Sequence, residues 1–139
     1  MSDETHGFLD RLQAATNAHD LDALAGCFAE DYRNEAPAHP ARGFTGRAQV
    51  RTNWQQIFGF VPDVHATVLR SAVDGDTVWS EWEMSGTRRD GTQHLMRGVM
   101  VFGLDAGLAT WARFYLEPVD EQTTGVDEAV RRQVHAEQS

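Results

Sequence analysis

Apolar and polar positions alternate along Thr77–Arg88, Gln93–Phe102 and Leu108–Glu117, and each run is rich in Val, Trp, Phe, Tyr and Met. The pattern predicts three successive β-strands. Arg89-Asp90-Gly91-Thr92 and Gly103-Leu104-Asp105-Ala106-Gly107 separate them, short glycine-containing loops suited to hairpins. Alternation sorts the side chains into two faces. His94, Trp82, Met84, Met96, Gly98, Met100, Phe102, Phe114 and Leu116 fall on an apolar face expected to lie against helices. Trp79, Glu81, Glu83, Arg97, Val99, Val101, Trp111, Arg113 and Tyr115 fall on a face that mixes aromatics with both signs of charge. Gly86 and Gly98 are the expected sites of β-bulges, where a one-residue slip would exchange the faces.

Upstream the period changes to that of helices. Phe8, Leu9, Leu12 and Ala15 mark one face of a helix over Phe8–His19; Leu21, Leu24 and Phe28 mark a second over Leu21–Phe28, with Asp20 as its N-cap. Glu30–Ala36 alternates and predicts a short strand with Tyr32, Asn34 and Ala36 on one side. Pro37–Gly43 is a loop, because two prolines and a glycine continue neither regular structure. Val50, Trp54, Ile57 and Phe58 predict a third helix over Gly46–Phe58 capped by Thr45, and His65–Val73 a further strand. Beyond Pro118 the chain turns polar, with Val126, Ala129, Val130 and Val134 suggesting a final amphipathic helix that is marginal unless docked. Helices followed by a run of strands indicate an α+β fold, a curved antiparallel sheet wrapped around the N-terminal helices as a cone-shaped barrel. Its expected packing residues are Phe8, Leu12, Leu24, Phe28, Val50 and Ile57.

At 139 residues the chain fits one domain, large enough to bury about two thirds of its unfolded surface. The expected layout is a flexible N-terminus over 1–7, the domain over 8–118 and a tail over 119–139. A net charge of −9 without a basic stripe disfavours nucleic acid and anionic membranes as partners. All twelve basic residues are Arg, which removes lysine Schiff-base chemistry. Cys27 is single, so neither an internal disulfide nor a multi-cysteine metal site is expected, and its apolar setting is that of a small core residue. No His or carboxylate pair has metal-ligand spacing, and no cofactor is implied. The N-terminus lacks the apolar core of a signal peptide and no run has the length of a membrane span, so the expected location is the cytoplasm.

Several segments together resemble the SnoaL-like group of the nuclear transport factor 2-like superfamily. Asn17–Leu24 with Phe28–Tyr32 is similar to that group's opening helix pair and first strand. Phe44–Val50 is similar to its loop-to-helix junction, and Pro62-Asp63 and Arg97–Phe102 fit the strands that follow. The resemblance implies a cone-shaped α+β fold, often dimeric through the outer sheet face. Relatives include ketosteroid isomerases, polyketide cyclases, limonene-type epoxide hydrolases and proteins that only bind.

Tyr32-Arg33-Asn34 resembles the Tyr-x-Asn segment that helps hold an attacking water in the epoxide hydrolases. The rest of that machinery is missing, since Trp82 and Met84 fall where the resemblance requires an Arg and an Asp, and Phe114 takes the place of a second Asp. The isomerase base aligns with Ala36 and its oxyanion-hole Asp with Gly98. Glu35 adjoins the lost base and would serve if the strand twisted. His94 is the best-placed titratable group, and His39 lies in the loop at the cone's mouth. Tyr32, Asn34, Glu35 and His94 are therefore the catalytic candidates, and Tyr32, Asn34, Trp54, Phe58, Trp82, Met84, Met96, Met100 and Phe114 the expected ligand-binding lining. Such a lining suits a hydrophobic polyketide-, steroid- or terpenoid-like molecule with weak or no catalysis. The alternatives are an isomerase or cyclase using Glu35 or His94, and a protein-interaction module with a closed pocket. The aromatic outer face, with Trp79, Arg97, Trp111, Arg113 and Tyr115, predicts a homodimer.

Overall fold

The computed structural model describes residues 2–138, with side chains described over 7–135. Helix α1 (Ser2–Asn17) and helix α2 (Leu21–Ala25) lead into strand β1 (Phe28–Glu35). A single 3-10 turn (Pro40–Arg42), strand β2 (Phe44–Thr45) and helix α3 (Arg47–Phe60) follow. Strands β3 (His65–Asp74), β4 (Thr77–Thr87), β5 (Gln93–Asp105) and β6 (Leu108–Pro118) form a continuous meander before helix α4 (Val126–Gln138).

The six strands make one sheet in the order β2-β1-β6-β5-β4-β3. It differs from the expected antiparallel sheet in one pairing. β1 runs parallel to β6, with Arg33 opposite Trp111 and Glu35 opposite Arg113. No hairpin joins these two strands, so nothing forces them to run in opposite directions. The sheet curls around its helices in an α+β cone, but it stays open between edge strands β2 and β3 rather than closing as a barrel.

Register through β4 and β5 is unbroken from Thr77↔Gly103 to Thr87↔Gln93, so the bulges expected at Gly86 and Gly98 are absent. Both glycines instead permit close approach. A Cβ at Gly98, where φ is +156, would run into the Tyr115 carbonyl oxygen, and one at Gly86 would meet the Val61 side chain. The register shifts lie elsewhere, between Val68 and Arg70 of β3, between Gly103 and Leu104 of β5 against β6, and between Phe28 and Arg33 of β1. The faces read from alternation in β4, β5 and β6 are therefore the faces observed.

Local chemistry explains the shifted helix boundaries. α2 has Asp20 as N-cap, its carboxylate accepting from the Ala23 N–H at 3.1 Å, but it ends at Ala25, where the Cys27 N–H turns back to the Leu24 carbonyl at 3.1 Å instead of continuing the four-residue ladder. Phe28 is thereby released into β1. α3 is capped by Gly46 and not by Thr45. Thr45 instead pairs with Arg33 across β1 and β2, and the Gly46 N–H donates to the Tyr32 carbonyl at 2.6 Å. α1 begins at Ser2, earlier than the apolar spacing marks. α4 forms, and Val126, Val130 and Val134 remain exposed on it.

The core lies between the sheet's concave face and α1 and α3. Phe8, Leu24, Phe28, Tyr32, Val50, Val78, Trp82 and Phe102 are buried there with Leu9, Leu12 and Met100. Phe8, Phe28 and Tyr32 meet edge to face, with ring centroids 6.5 Å and 4.7 Å apart along the series. α3 is clamped near its start by Arg47, whose Nε donates to the Phe28 carbonyl at 2.8 Å, and by Arg51 against Asp22 at 2.6 Å. Its end is tied to the β4–β5 hairpin, where the Arg89 N–H donates to the Phe60 carbonyl at 2.9 Å and the Arg89 guanidinium to the Gly59 carbonyl. Among the described residues no helix is long and apolar enough to cross a membrane.

Candidate functional site

Between α3 and the inner faces of β1, β4, β5 and β6 lies a cavity of about 270 Å³. Val50, Asn53, Trp54 and Ile57 enter it from α3, recurring at i, i+3, i+4 and i+7 as one helical face must. Phe28, Tyr32 and Asn34 reach it from β1, Phe44 from β2, Met84 from β4, His94 and Met96 from β5, and Phe114 and Leu116 from β6. None of these residues carries a carboxylate or a guanidinium.

Its polar points are few. The Tyr32 hydroxyl donates to Asn34 Oδ1 at 2.7 Å, in surroundings where Tyr32 is 1 % and Asn34 7 % exposed. Burial pushes the Tyr32 phenol far above its usual range, so it stays protonated, with its one O–H committed to Asn34. With Oδ1 occupied, the Asn34 amide nitrogen has no protein acceptor among the described residues and is free to donate to a guest. Asn53 repeats the arrangement, its Oδ1 accepting from Gln49 Nε2 at 2.8 Å. His94 sits opposite Gly86 toward the rim. Partial burial, followed by the nearby positive charge of Arg88, holds its imidazole below the usual range and so neutral at neutral pH.

Several expected site residues are elsewhere. Glu35 lies on the opposite face of β1, because Tyr32 and Asn34 point inward and strand alternation sends their neighbour outward. There it faces Arg113 at 3.8 Å and lines an open hollow of about 480 Å³ with Asp31, Arg33, Thr110, Trp111 and Arg113. That hollow is larger than the inner cavity, but it is open and edged by charges, and it encloses nothing. Trp82 and Met100 share the inward face but lie below the cavity's floor, and the Trp82 indole N–H is satisfied by Ser80 Oγ at 2.8 Å. Phe58 turns away toward α1 and stacks on His19, centroids 4.4 Å apart. His39 bonds Glu117 at 2.7 Å, fastening the Pro-rich loop to the end of β6. Asn53 and Phe44 were not singled out by the sequence reading. Asn53 could have been found from its i+3 spacing to Val50, but Phe44 joins only through the short pairing of β2 with β1. Among the described residues no three His, Cys, Asp or Glu side chains converge as a metal set.

The SnoaL-like domain family matches residues 9–112 of this chain. The chain belongs to that family. None of the curated proteins matches this SnoaL-like domain in sequence. Solved structures match it in fold. An LEH-like epoxide hydrolase of M. tuberculosis superposes with a TM-score of 0.71 at 19% identity, over 82% of this chain and 83% of that one. IdmH of Streptomyces antibioticus, a candidate polyketide cyclase, gives 0.70 at 21% identity over 81% and 91%. A Catenulispora acidiphila protein with a ketosteroid isomerase-like fold, solved with trimethylamine, gives 0.68 at 21% over 78% and 84%. At these identities the likeness establishes the fold and leaves the chemistry to the residues of the cavity.

The His94 environment predicts an acid sensitivity. Its folded pKa lies below the ordinary 6.5, so the unfolded chain binds the proton more readily. Stability is thus fully present above about 6.5 and falls as pH drops toward the folded pKa. Denaturation of the wild type and His94→Gln from about pH 8 to about pH 5 should give a constant difference at the alkaline end. Below about 6.5 the wild type should lose ground to the variant. A difference that is flat across the range contradicts this placement of His94.

Proposed function

We propose that this SnoaL-like domain binds a neutral, largely apolar small molecule carrying a hydrogen-bond-accepting oxygen, and that it catalyses weakly or not at all. The observation that carries the reading is the cavity lining. Aromatic and thioether side chains make its wall, and its polar points are amide donors and a neutral imidazole. Such a site desolvates an apolar skeleton and orients one oxygen. Polyketide-, steroid- and terpenoid-like compounds have this character, and the neighbours described as cyclase, isomerase-like and epoxide hydrolase support the same range. A cavity of about 270 Å³ weighs against an interaction module with a closed pocket.

The chemistry of the lining argues against robust catalysis. General acid–base catalysis needs a group that takes a proton and one that gives it, each contributing roughly 10²–10⁴-fold. With Glu35 turned outward, His94 is the one lining residue able to take up a proton near neutral pH, and no acid stands opposite it. This favours binding over an isomerase or cyclase reaction built on either residue.

Calorimetric titration with 2-decalone, a bicyclic ketone, tests the reading. Binding should be measurable, and Asn34→Ala should weaken it by about 1 kcal/mol, the scale of a neutral hydrogen bond, with Tyr32→Phe weakening it less because that hydroxyl acts only by holding Asn34. Limonene 1,2-epoxide should bind without turnover above background. Turnover abolished by changing His94 would establish the acid–base reading instead, and no binding of either compound would end the pocket reading.

We further propose a homodimer through the outer sheet face. Trp79 and Tyr115 are 50 % and 40 % exposed there, flanked by the pairs Arg97–Glu83 at 2.8 Å and Arg70–Glu81 at 3.3 Å. Large aromatics within a charged surround are the usual anchors of an interface. Trp111 and Arg113 extend this face, with the Trp111 indole packed onto Gly103. Because Trp111 supports β5 in this way, the variants of choice are Trp79→Ser and Tyr115→Ser. Combined, they should move sedimentation from dimer toward monomer with the circular dichroism unchanged. A wild type that sediments as a monomer at tens of micromolar contradicts the proposal.

A further inference from the structure

Behind the cavity lies a second, nearly closed void of about 10 Å³. Phe28, Trp54, Met84 and Phe114 line both spaces and so form the partition between them. On the far side the wall is Thr16, Trp82, Met100 and Phe102. All the polar groups there are satisfied. The Thr16 hydroxyl donates to the Leu12 carbonyl at 2.7 Å, and the Trp82 N–H to Ser80. The void therefore offers nothing to a polar guest, and as it stands it is too small for any ring.

The register shows which partition residues set the depth. Phe114 lies opposite Met100, and Met84 opposite Met96. Between these levels the row Trp82–Gly98–Leu116 has a glycine at its centre, which adds no side chain to the wall. Phe114 and Met84 thus stand on the strands to either side of a β5 position that contributes no side chain. The Phe114 ring is braced against Phe102, with centroids 6.3 Å apart and planes at 77°. Met84 is unbranched and adaptable. Phe28 and Trp54 are less free, Phe28 through its edge-to-face contacts with Phe8 and Tyr32.

Size then limits the ligand. A void of about 150 Å³ lined by apolar side chains holds one benzene ring. The 270 Å³ of the main cavity therefore takes two rings and not four. It lies below the ~300–1,000 Å³ typical of sites for drug-sized ligands. We infer that Phe114 and Met84 are the specificity-determining residues of this cavity, a floor that restricts it to monocyclic and bicyclic apolar ligands and whose own side-chain bulk, once removed, deepens the cavity toward Trp82 and Met100. The inference rests on the binding role proposed above and narrows its ligand class, excluding the steroid-sized members.

The test compares two ketones that differ in length, 2-decalone with two rings and progesterone with four, by equilibrium titration against the wild type, Phe114→Ala and Met84→Ala. The wild type should bind 2-decalone and reject progesterone. Phe114→Ala should bind progesterone at least about tenfold more tightly than the wild type does, while 2-decalone affinity changes much less. Met84→Ala should shift the preference in the same direction. Should Phe114→Ala not fold, Phe114→Leu, which shortens the floor and keeps it apolar, carries the comparison with a smaller shift. Wild-type protein that binds progesterone as tightly as its variants, or variants whose size preference is unchanged while 2-decalone still binds, would overturn the inference and leave the binding role standing. Failure of the wild type to bind either ketone would overturn both.

Discussion

Helix α1 is fixed along the concave face of the sheet by two side-chain amides, and the division of that face into core and cavity depends on it. β3 is an edge strand, with backbone groups that its single neighbour cannot satisfy. Asn17 answers both groups of Ala66, accepting its N–H at 2.7 Å and donating to its carbonyl at 2.9 Å. Gln13 Oε1 adds an acceptor for the Val68 N–H at 2.6 Å. Two helical side chains thus stand in for a further strand. They close the edge and fix the helix's position along the sheet. His19, at φ +55, then turns the chain, donates from Nε2 to the Val64 carbonyl at 2.9 Å and stacks on Phe58. That stack draws the end of α3 toward α1 and leaves Trp54 and Ile57, not Phe58, over the cavity.

Where α1 lies, the inner face of the sheet is packed solid with Phe8, Leu12, Trp82 and Phe102. Where α3 lies, held off by Arg47 and Arg89 at its two ends, the same face is left partly empty. The division between core and cavity is therefore a matter of which helix covers which part of β4, β5 and β6. The chemistry follows from strand parity. On β1 the inward positions are Phe28, Tyr32 and Asn34; Asp31, Arg33 and Glu35 point outward, and Glu30, although of inward parity, is exposed beside the register shift between Phe28 and Arg33. Every ionisable group of that strand except a phenol that burial keeps protonated is turned away from the cavity.

How much of this was legible depended on how local the deciding interaction is. The meander β4–β5–β6 could be read from alternation because neighbouring hairpins fix their own register, and its inward and outward faces are as the pattern indicated. Asp20 was legible as a cap because its partner is three residues away. Phe28 was not. Its spacing from Leu21 and Leu24 is helical, and only the tight turn from Leu24 to Cys27 moves it into a strand. The parallel pairing of β1 with β6 spans most of the chain and leaves no sequence mark. Within the site, Tyr32, Asn34, Trp54, Met84, Met96, His94 and Phe114 were found by alternation and helical spacing. Trp82 and Met100 have the right parity but the wrong depth, which periodicity does not encode. Phe58 has the helical spacing but stacks on His19, in the turn between α1 and α2, away from the cavity. Glu35 would have needed a twist that the β1–β6 pairing does not provide.

The central claim is that an apolar, uncharged cavity between α3 and the sheet is the functional site. Three methionines divide the possibilities cleanly. Met84 and Met96 line the cavity, while Met100 lies behind its floor. In protein labelled with ¹³C at the methionine methyls, titration with 2-decalone should shift the Met84 and Met96 resonances saturably and move Met100 much less. Unchanged Met84 and Met96 signals at concentrations where calorimetry shows 2-decalone bound would contradict the account.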